Sequence, residues 1–209
     1  MIKGFKIIIG LTALIVIGIL IGASVLLPKR EFRKDISIIA YGDSLTRGFG
    51  IPPGKNFVTI LSEHTNIPII NAGVTGDTTS EALIRLQTEI LDKKPDIVMV
   101  CLGGNDFLHG LSEDVIYANL KTIIEKIQGG GAKVILLGIS SENLPNFEKT
   151  FQKLASEKKV YVYVPNIMDG VLSQKNFLFD NIHPNGRGHE LIAQKILPFL
   201  QKAIWETGK

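Results

Sequence analysis

Short apolar runs alternate with longer amphipathic segments from residue 36 to the end of the chain. Most of the short runs are unbroken and rich in β-branched residues, which is typical of parallel strands that are covered on both faces. We therefore predict strands over Ser37–Tyr41, Pro68–Asn71, Ile97–Cys101, Lys133–Ile139 and Val160–Val164.

The longer segments carry apolar side chains at helical spacing. In the third, Ile116, Leu120 and Ile123 form one face, and the segment starts at Ser112, a residue type that favours helix N-termini. These patterns predict helices over Phe57–Thr65, Ser80–Lys93, Ser112–Gln128, Asn146–Lys158 and Gly186–Ile204. Pro198 is expected to kink or shorten the last helix, because proline lacks the amide hydrogen that a helix uses.

The regular alternation of strands and helices predicts the fold class. It indicates an α/β protein, a three-layer α/β/α sandwich with a five-stranded parallel sheet and right-handed crossovers. Residues 35–209 are long enough for one domain with a substantial core. Turns that contain glycine and asparagine follow the first three strands, at the edge where such sheets bind ligands.

The amino-terminal region has a different character. Ile7–Leu27 contains no charged residue over 21 positions. As a helix it would span about 31 Å, which matches a hydrocarbon core of about 30 Å. The run exceeds the apolar region of a signal peptide, and Gly22–Ser24 is followed by apolar residues rather than a polar mature start. Residues 1–34 are therefore predicted to form an uncleaved transmembrane anchor and a charged tether.

Composition narrows the classes of function. The net charge is +3, and no basic block occurs beyond the amino-terminal region, so nucleic acid is not an expected partner. Cys101 is the only cysteine, which excludes an intrachain disulfide. The four histidines show no metal-ligand spacing, so no metal is expected.

Ser44 directly follows the first predicted strand, in Gly-Asp-Ser-Leu. A serine at such a turn can present its hydroxyl at the sheet edge, with its own amide facing a developing oxyanion. Neither a Gly-x-Ser-x-Gly elbow nor a phosphate-binding loop is present. Taken alone, Ser44 is equally well explained as a helix N-cap.

A carboxylate and an imidazole lie three residues apart in Asp180-Asn-Ile-His183-Pro184. The proline disfavours helical backbone at His183, which places the histidine on a turn. Asp180 is close enough to hold one ring nitrogen and leave the other free to accept a proton. The alternative is that Asp180 caps a turn and His183 lies on the surface.

Two further turns offer hydrogen-bond donors. Gly73 and Gly76 lie in the segment after the second strand, where the Gly76 amide could donate to an oxyanion. Asn105, in Gly-Gly-Asn-Asp after the third strand, supplies a neutral side-chain amide. Turn chemistry alone explains either segment.

Together, these four blocks closely resemble the SGNH (GDSL-type) hydrolase family over almost the whole chain from Ile36 onward. The detail looks most like the bacterial branch of acyl thioesterases, lysophospholipases and arylesterases. The resemblance implies Ser44 as the nucleophile, His183 as general base and then acid, and Asp180 as the residue that orients it.

The resemblance also implies an oxyanion hole formed by the Ser44 amide, the Gly76 amide and the Asn105 side chain. Gly76 is preferred to Gly73 because it begins a Gly-Asp-Thr sequence. No metal or organic cofactor is implied.

The implied activity is hydrolysis of carboxylic ester or thioester bonds through an acyl-enzyme. The expected substrates are small acyl esters, thioesters or lysophospholipids. One alternative is removal of O-acetyl groups from a cell-envelope polysaccharide by the same site. A second is a non-catalytic, flavodoxin-like module that binds a nucleotide or phosphate at the same sheet edge.

The flanking charges leave the orientation of the anchor open. Lys29, Arg30, Arg33 and Lys34 follow the span, and by the positive-inside rule they favour a cytoplasmic domain. The free amino terminus adds charge to the opposite side, and the family resemblance favours export. We expect a membrane-anchored protein with an exported domain, with secreted and cytoplasm-facing forms as alternatives.

Overall fold

The computed structural model describes residues 35–139 and 145–208. The predicted anchor, Ile7–Leu27, lies outside the described residues, as does the rest of the segment 1–34. Within the described ranges, no helix combines the length and the apolar character needed to cross a membrane.

A parallel sheet of five strands forms the centre of the fold, with the order β2-β1-β3-β4-β5. The prediction of a five-stranded parallel sheet is confirmed. The chain passes from β1 to the edge strand β2 and then to β3 on the opposite side of β1. The loops that follow β1 and β3 therefore lead away in opposite directions and leave a crevice between them. The strands are β1 (Ile38–Gly42), β2 (Ile69–Gly73), β3 (Ile97–Cys101), β4 (Lys133–Leu137) and β5 (Val162–Val164).

Seven α-helices occur in the described ranges, and five of them correspond to the predicted helices. The other two, α1 and α4, are single turns directly after β1 and β3, too short to show a periodic pattern. The helices are α1 (Ser44–Arg47), α2 (Phe57–Thr65), α3 (Thr79–Glu89), α4 (Gly104–Leu108), α5 (Glu113–Gly129), α6 (Pro145–Lys158) and α7 (Gly186–Thr207).

The central strand β3 and its neighbour β1 are buried along their whole length. On one face of the sheet, Ile39 and Val98 belong to a core cluster with buried residues of α3, α5 and α6. Helices α2 and α7 contact each other, and they also contact β2 and β5 respectively. The ends of β1 and β3 are therefore held in a rigid framework on which the site can be built.

Two helices differ from the prediction. The segment predicted as one helix, Ser80–Lys93, is α3 followed by a 3₁₀ turn over Leu91–Lys93. Of the two effects expected of Pro198, the shortening does not occur, because α7 continues through it to Thr207. Pro198 and Gln194 both lie on the exposed face, where water can bind the carbonyl that the missing amide leaves free.

Candidate active site

Ser44 is the first residue of α1, immediately beyond the end of β1. Asp43 caps this helix, and its Oδ1 accepts a hydrogen bond from the Leu45 amide at 3.0 Å. The alternative assignment of Ser44 as the N-cap is therefore wrong. Since the first amides of a helix have no partner within it, the Ser44 amide is available at this turn.

The turn between Phe179 and His183 is closed by a hydrogen bond from the Phe179 amide to the His183 carbonyl, at 2.8 Å. Inside it, Asp180 Oδ1 accepts hydrogen bonds from the amides of Ile182 at 2.8 Å and His183 at 2.7 Å. Asp180 Oδ2 lies 2.7 Å from His183 Nδ1. Asp180 thus both shapes the turn and contacts the imidazole.

The other imidazole nitrogen faces the serine. His183 Nε2 lies 2.9 Å from Ser44 Oγ, although the two residues are 139 positions apart in the chain. The fold therefore joins Ser44, His183 and Asp180 in one hydrogen-bonded series. In this arrangement the imidazole can take the hydroxyl proton while the carboxylate holds the ring.

The two carboxyl groups beside the serine have different environments. At Asp180, partial burial acts to raise the pKa, but hydrogen bonds from two amides and from His183 outweigh it and lower the pKa to about 2. Burial raises the pKa of Asp43 to about 7, against the opposing hydrogen bond from Leu45. Only Asp180 combines contact with the imidazole and a firmly ionised carboxylate at neutral pH.

The three predicted oxyanion donors border the same cavity. Within the described part of the chain, the amides of Ser44 and Gly76 donate to no other protein group. Asn105 Nδ2 donates to the Asp77 carbonyl at 2.8 Å, and its second N–H remains available. Gly73 does not border the cavity. This placement agrees with the choice of Gly76, although the catalytic role of each donor stays a prediction.

The cavity has a volume of about 390 Å3, which is within the range of small-molecule sites. The Phe49 ring lies 4.9 Å from the His183 ring, centroid to centroid, and Phe179 packs edge-on against Phe49. Beyond the polar groups around Ser44, the walls are mainly apolar. These walls include Leu45, Leu108, Ile139, Met168, Leu172 and Ile182.

The remaining histidines in the region do not contact Ser44. His189, on α7, is buried with 1% exposure. Its Nδ1 accepts a hydrogen bond from the Phe57 amide at 3.3 Å, and its ring stacks on Phe57. Burial, assisted by the charge of His183, lowers the pKa of His189 to about 4. His109 is exposed and does not line the cavity.

Two charged residues with little exposure lie near the site and were not among the predicted site residues. Asp106 is fully buried and accepts a hydrogen bond from the Thr79 amide at 2.8 Å. Arg85 contacts the ends of β1 and β2. Arg85 follows Ala82 by three positions on the apolar stripe of α3, and a charge in such a stripe indicates a buried partner. Across the described ranges, no cluster of His, Cys, Asp and Glu could hold a metal ion.

Comparison with known proteins assigns this arrangement to a family. Residues 40–191 match the GDSL-like Lipase/Acylhydrolase family. The chain is 30% identical over 199 residues to esterase TesA of Pseudomonas aeruginosa, covering 90% of this chain and 94% of that protein. It is 28% identical over 192 residues to thioesterase 1/protease 1/lysophospholipase L1 of Escherichia coli K12, covering 86% of this chain and 90% of that protein.

Solved structures agree with the sequence matches. The crystal structure of AlinE4, an SGNH-hydrolase family esterase, superposes with a TM-score of 0.65 at 33% identity, and the match covers 82% of this chain and 97% of that one. Matches of this extent include every block on which the sequence resemblance rested. The chain therefore belongs to the GDSL-like lipase/acylhydrolase family, and it is a hydrolase that acts on ester bonds.

Proposed function

We propose that the protein hydrolyses carboxylic esters or thioesters of lipid-like acyl groups by a Ser-His-Asp mechanism. The observation that carries this proposal is the hydrogen-bonded series Ser44–His183–Asp180 at the wall of an apolar cavity. The alternative of a non-catalytic nucleotide- or phosphate-binding module does not account for this series, and it needs neither the serine nor the imidazole.

In the first half-reaction, Ser44 Oγ attacks the carbonyl carbon while its proton moves to His183 Nε2. The carbonyl electron pair moves onto oxygen and forms a tetrahedral oxyanion. When that pair returns, the bond to the leaving alcohol or thiol breaks, and His183 donates the proton to the leaving group. The product is an acyl group esterified to Ser44.

In the second half-reaction, water replaces the departed alcohol or thiol. The water oxygen attacks the acyl carbon while His183 takes a proton from the water. His183 then gives that proton to Ser44 Oγ as the bond between Oγ and the acyl carbon breaks. The carboxylic acid then leaves, and the enzyme is restored without a metal or organic cofactor.

Two electrostatic features support these steps. The ionised Asp180 carboxylate lies 2.7 Å from Nδ1, where it stabilises the positive charge that His183 acquires. Ser44, Gly76 and Asn105 supply the oxyanion donors in this proposal. One such donor typically contributes about 100- to 1000-fold in rate.

The cavity walls favour an acyl chain over a sugar. A hydrocarbon chain gains about 0.8 kcal/mol for each buried methylene group, whereas glycan hydroxyls would need more polar partners than these mainly apolar walls offer. The Escherichia coli relative is named as a thioesterase and lysophospholipase. We therefore favour acyl esters, acyl thioesters or lysophospholipids over an acetylated polysaccharide.

The nucleophile and base are tested with a fluorophosphonate probe and a p-nitrophenyl ester. The wild type is expected to carry the probe on Ser44, and Ser44→Ala and His183→Ala should each lose ester hydrolysis to a similar extent, because the groups act as a unit. His109→Ala, at an exposed histidine outside the cavity, is the matched control and should keep full activity. Hydrolysis by Ser44→Ala at the wild-type rate would overturn the proposal.

The same assay, extended to a series of substrates, tests the substrate class. Activity per labelled active site is compared across acyl esters and thioesters of increasing chain length and an acetylated glycan. A rise in kcat/KM with chain length is expected. A preference for the acetylated glycan would instead support the O-deacetylase.

We further propose that Ile7–Leu27 anchors the protein in a membrane and that the domain is exported. The support is the 21-residue uncharged run with lysines before it and basic residues after it. This arrangement would place ester hydrolysis beside a supply of lipid substrates.

A further inference from the structure

Arg85, on α3, forms hydrogen bonds with one side chain and two backbone carbonyls near the candidate active site. Its Nε donates to Asp77 Oδ2 at 2.6 Å, its Nη1 to the Ala72 carbonyl at 2.9 Å and its Nη2 to the Gly42 carbonyl at 3.0 Å. Each of the three nitrogens of the planar guanidinium therefore donates to a different residue.

Two of these acceptors lie close in the chain to parts of the proposed oxyanion hole. Gly42 ends β1, two residues before Ser44. Asp77 directly follows Gly76, and its carbonyl also accepts the hydrogen bond from Asn105 Nδ2 at 2.8 Å. Arg85 thus contacts the segments that carry two of the donors, and it reaches the third through Asp77.

The environment of Arg85 holds it in one position. The side chains of Arg85 and Asp77 are only 16% and 8% exposed, and the guanidinium carbon lies 4.5 Å from the centre of the Tyr41 ring. A largely enclosed cation with this many fixed partners loses little further freedom in the reaction. Arg85 itself does not line the cavity.

We propose that Arg85 is a positioning residue that sets the mutual geometry of the Ser44 amide, the Gly76 amide and the Asn105 side chain. This inference rests on the proposed serine mechanism. Oxyanion donors stabilise the transition state only when they lie about 2.7–3.1 Å from the oxygen of the tetrahedral species. Small displacements of the donors therefore slow the reaction without changing how the acyl chain binds.

The test compares two acyl ketones of equal chain length. In a trifluoromethyl ketone, Ser44 Oγ bonds to the carbonyl carbon, the carbonyl electron pair forms an oxyanion, and the serine proton moves to His183. The corresponding methyl ketone forms little of this adduct and reports binding of the chain. Inhibition constants and KM are measured alongside kcat. The value of kcat is expressed per fluorophosphonate-titrated site, so that unfolded molecules do not count.

The principal variant is Arg85→Lys, which keeps the charge but cannot reach three acceptors at once. It is expected to weaken trifluoromethyl ketone binding by about 10- to 100-fold and to lower kcat by a similar factor, a fraction of what complete loss of the donors would cost. Methyl ketone binding and KM should stay within about twofold. Lys93→Gln is the control. Lys93 lies just beyond the end of α3, and its only ion pair within the described residues is an exposed one with Glu89, so the change removes a cation far from the oxyanion donors in the chain.

A second variant, Asp77→Asn, removes the ion pair and leaves the two carbonyl contacts of Arg85 in place. It should show the same pattern with a smaller change, which keeps the test valid if Arg85→Lys folds poorly. If the wild type and both variants bind the trifluoromethyl ketone equally well, the positioning role is overturned. It is also overturned if the variants lose affinity for both ketones by the same factor. A wild type that neither forms the adduct nor hydrolyses esters would instead refute the proposed function.

Discussion

At the scale of single residues, two histidines six positions apart have opposite environments. His183 contacts Ser44 and Asp180 at the cavity. His189 is buried against Phe57, where its neutral ring accepts a backbone hydrogen bond. A proton on His189 Nδ1 would remove that acceptor and place a charge in the interior. His189 therefore has a structural role that is sensitive to acid.

This role predicts a specific pH dependence of stability. An unfolded histidine titrates near 6.5 and folded His189 near 4, so between these values the unfolded state binds more protons and the free energy of unfolding falls as the pH falls. The contribution is fully present above about pH 6.5, and about 2 kcal/mol of it should be lost at pH 5. Urea denaturation at pH 8 and pH 5 measures the change.

The comparison needs a variant, because Asp43 titrates in the opposite sense. Its raised pKa means that the folded state binds more protons between about pH 4 and pH 7, which stabilises the fold as the pH falls. The difference between the wild type and His189→Gln isolates the histidine, and His109→Gln is the exposed control. An equal pH response in the wild type and His189→Gln would contradict the prediction.

At the scale of elements, the end of β2 and the loop that follows it contain two glycines with different constraints. A Cβ on Gly73 would lie 2.3 Å from the Arg47 backbone nitrogen, so α1 can pack this closely only against glycine. Gly76 has a φ of +85°, and a Cβ there would meet nothing within 4 Å. Gly73 is required by packing, whereas Gly76 is favoured by backbone conformation.

We therefore expect different results from two alanine substitutions. Gly73→Ala should displace the helix that begins with Ser44 and lower kcat by more than about tenfold, as small misplacements of reacting groups do. Gly76→Ala keeps the amide and should cost about 1 kcal/mol of unfolding free energy through backbone strain, with the smaller loss of activity. Urea denaturation and kcat separate the two effects. A higher kcat for the Gly73→Ala variant than for the Gly76→Ala variant would contradict this assignment.

At the scale of the whole molecule, the question is how the predicted anchor relates to the enzyme. Every residue of the proposed mechanism lies between positions 44 and 183, well after the uncharged run. The domain brings these residues together through its own sheet. We therefore expect the chemistry to be independent of the anchor.

The full chain is expected to sediment with membranes and to resist extraction by high salt or carbonate, because its apolar run is long enough to span the bilayer. A chain that starts at Arg33 should stay in the supernatant and hydrolyse esters at the full-length rate. Recovery of a mature protein that begins near Ser24 would contradict the anchor. Protease added to intact spheroplasts should degrade an exported domain, whereas protection would indicate a cytoplasmic one.

Much of the fold and of the candidate site could be predicted from sequence because the relevant signals are local. The continuous apolar runs predicted the parallel strands, since burial on both faces leaves no polar alternation. The turn that orients His183 was also readable, because Pro184 and Asp180 act within three residues. Helix α1 was missed because a single turn carries no periodic pattern.

The tertiary structure alone decided which distant groups meet. Nothing local to Ser44 places an imidazole 2.9 Å from its hydroxyl; that contact results from the order of the strands and the packing of α7 against α2. Arg85 and His189 gained their roles in the same way. Their burial and partners come from segments far away in the chain, and the energy of a charge or an imidazole depends on those surroundings.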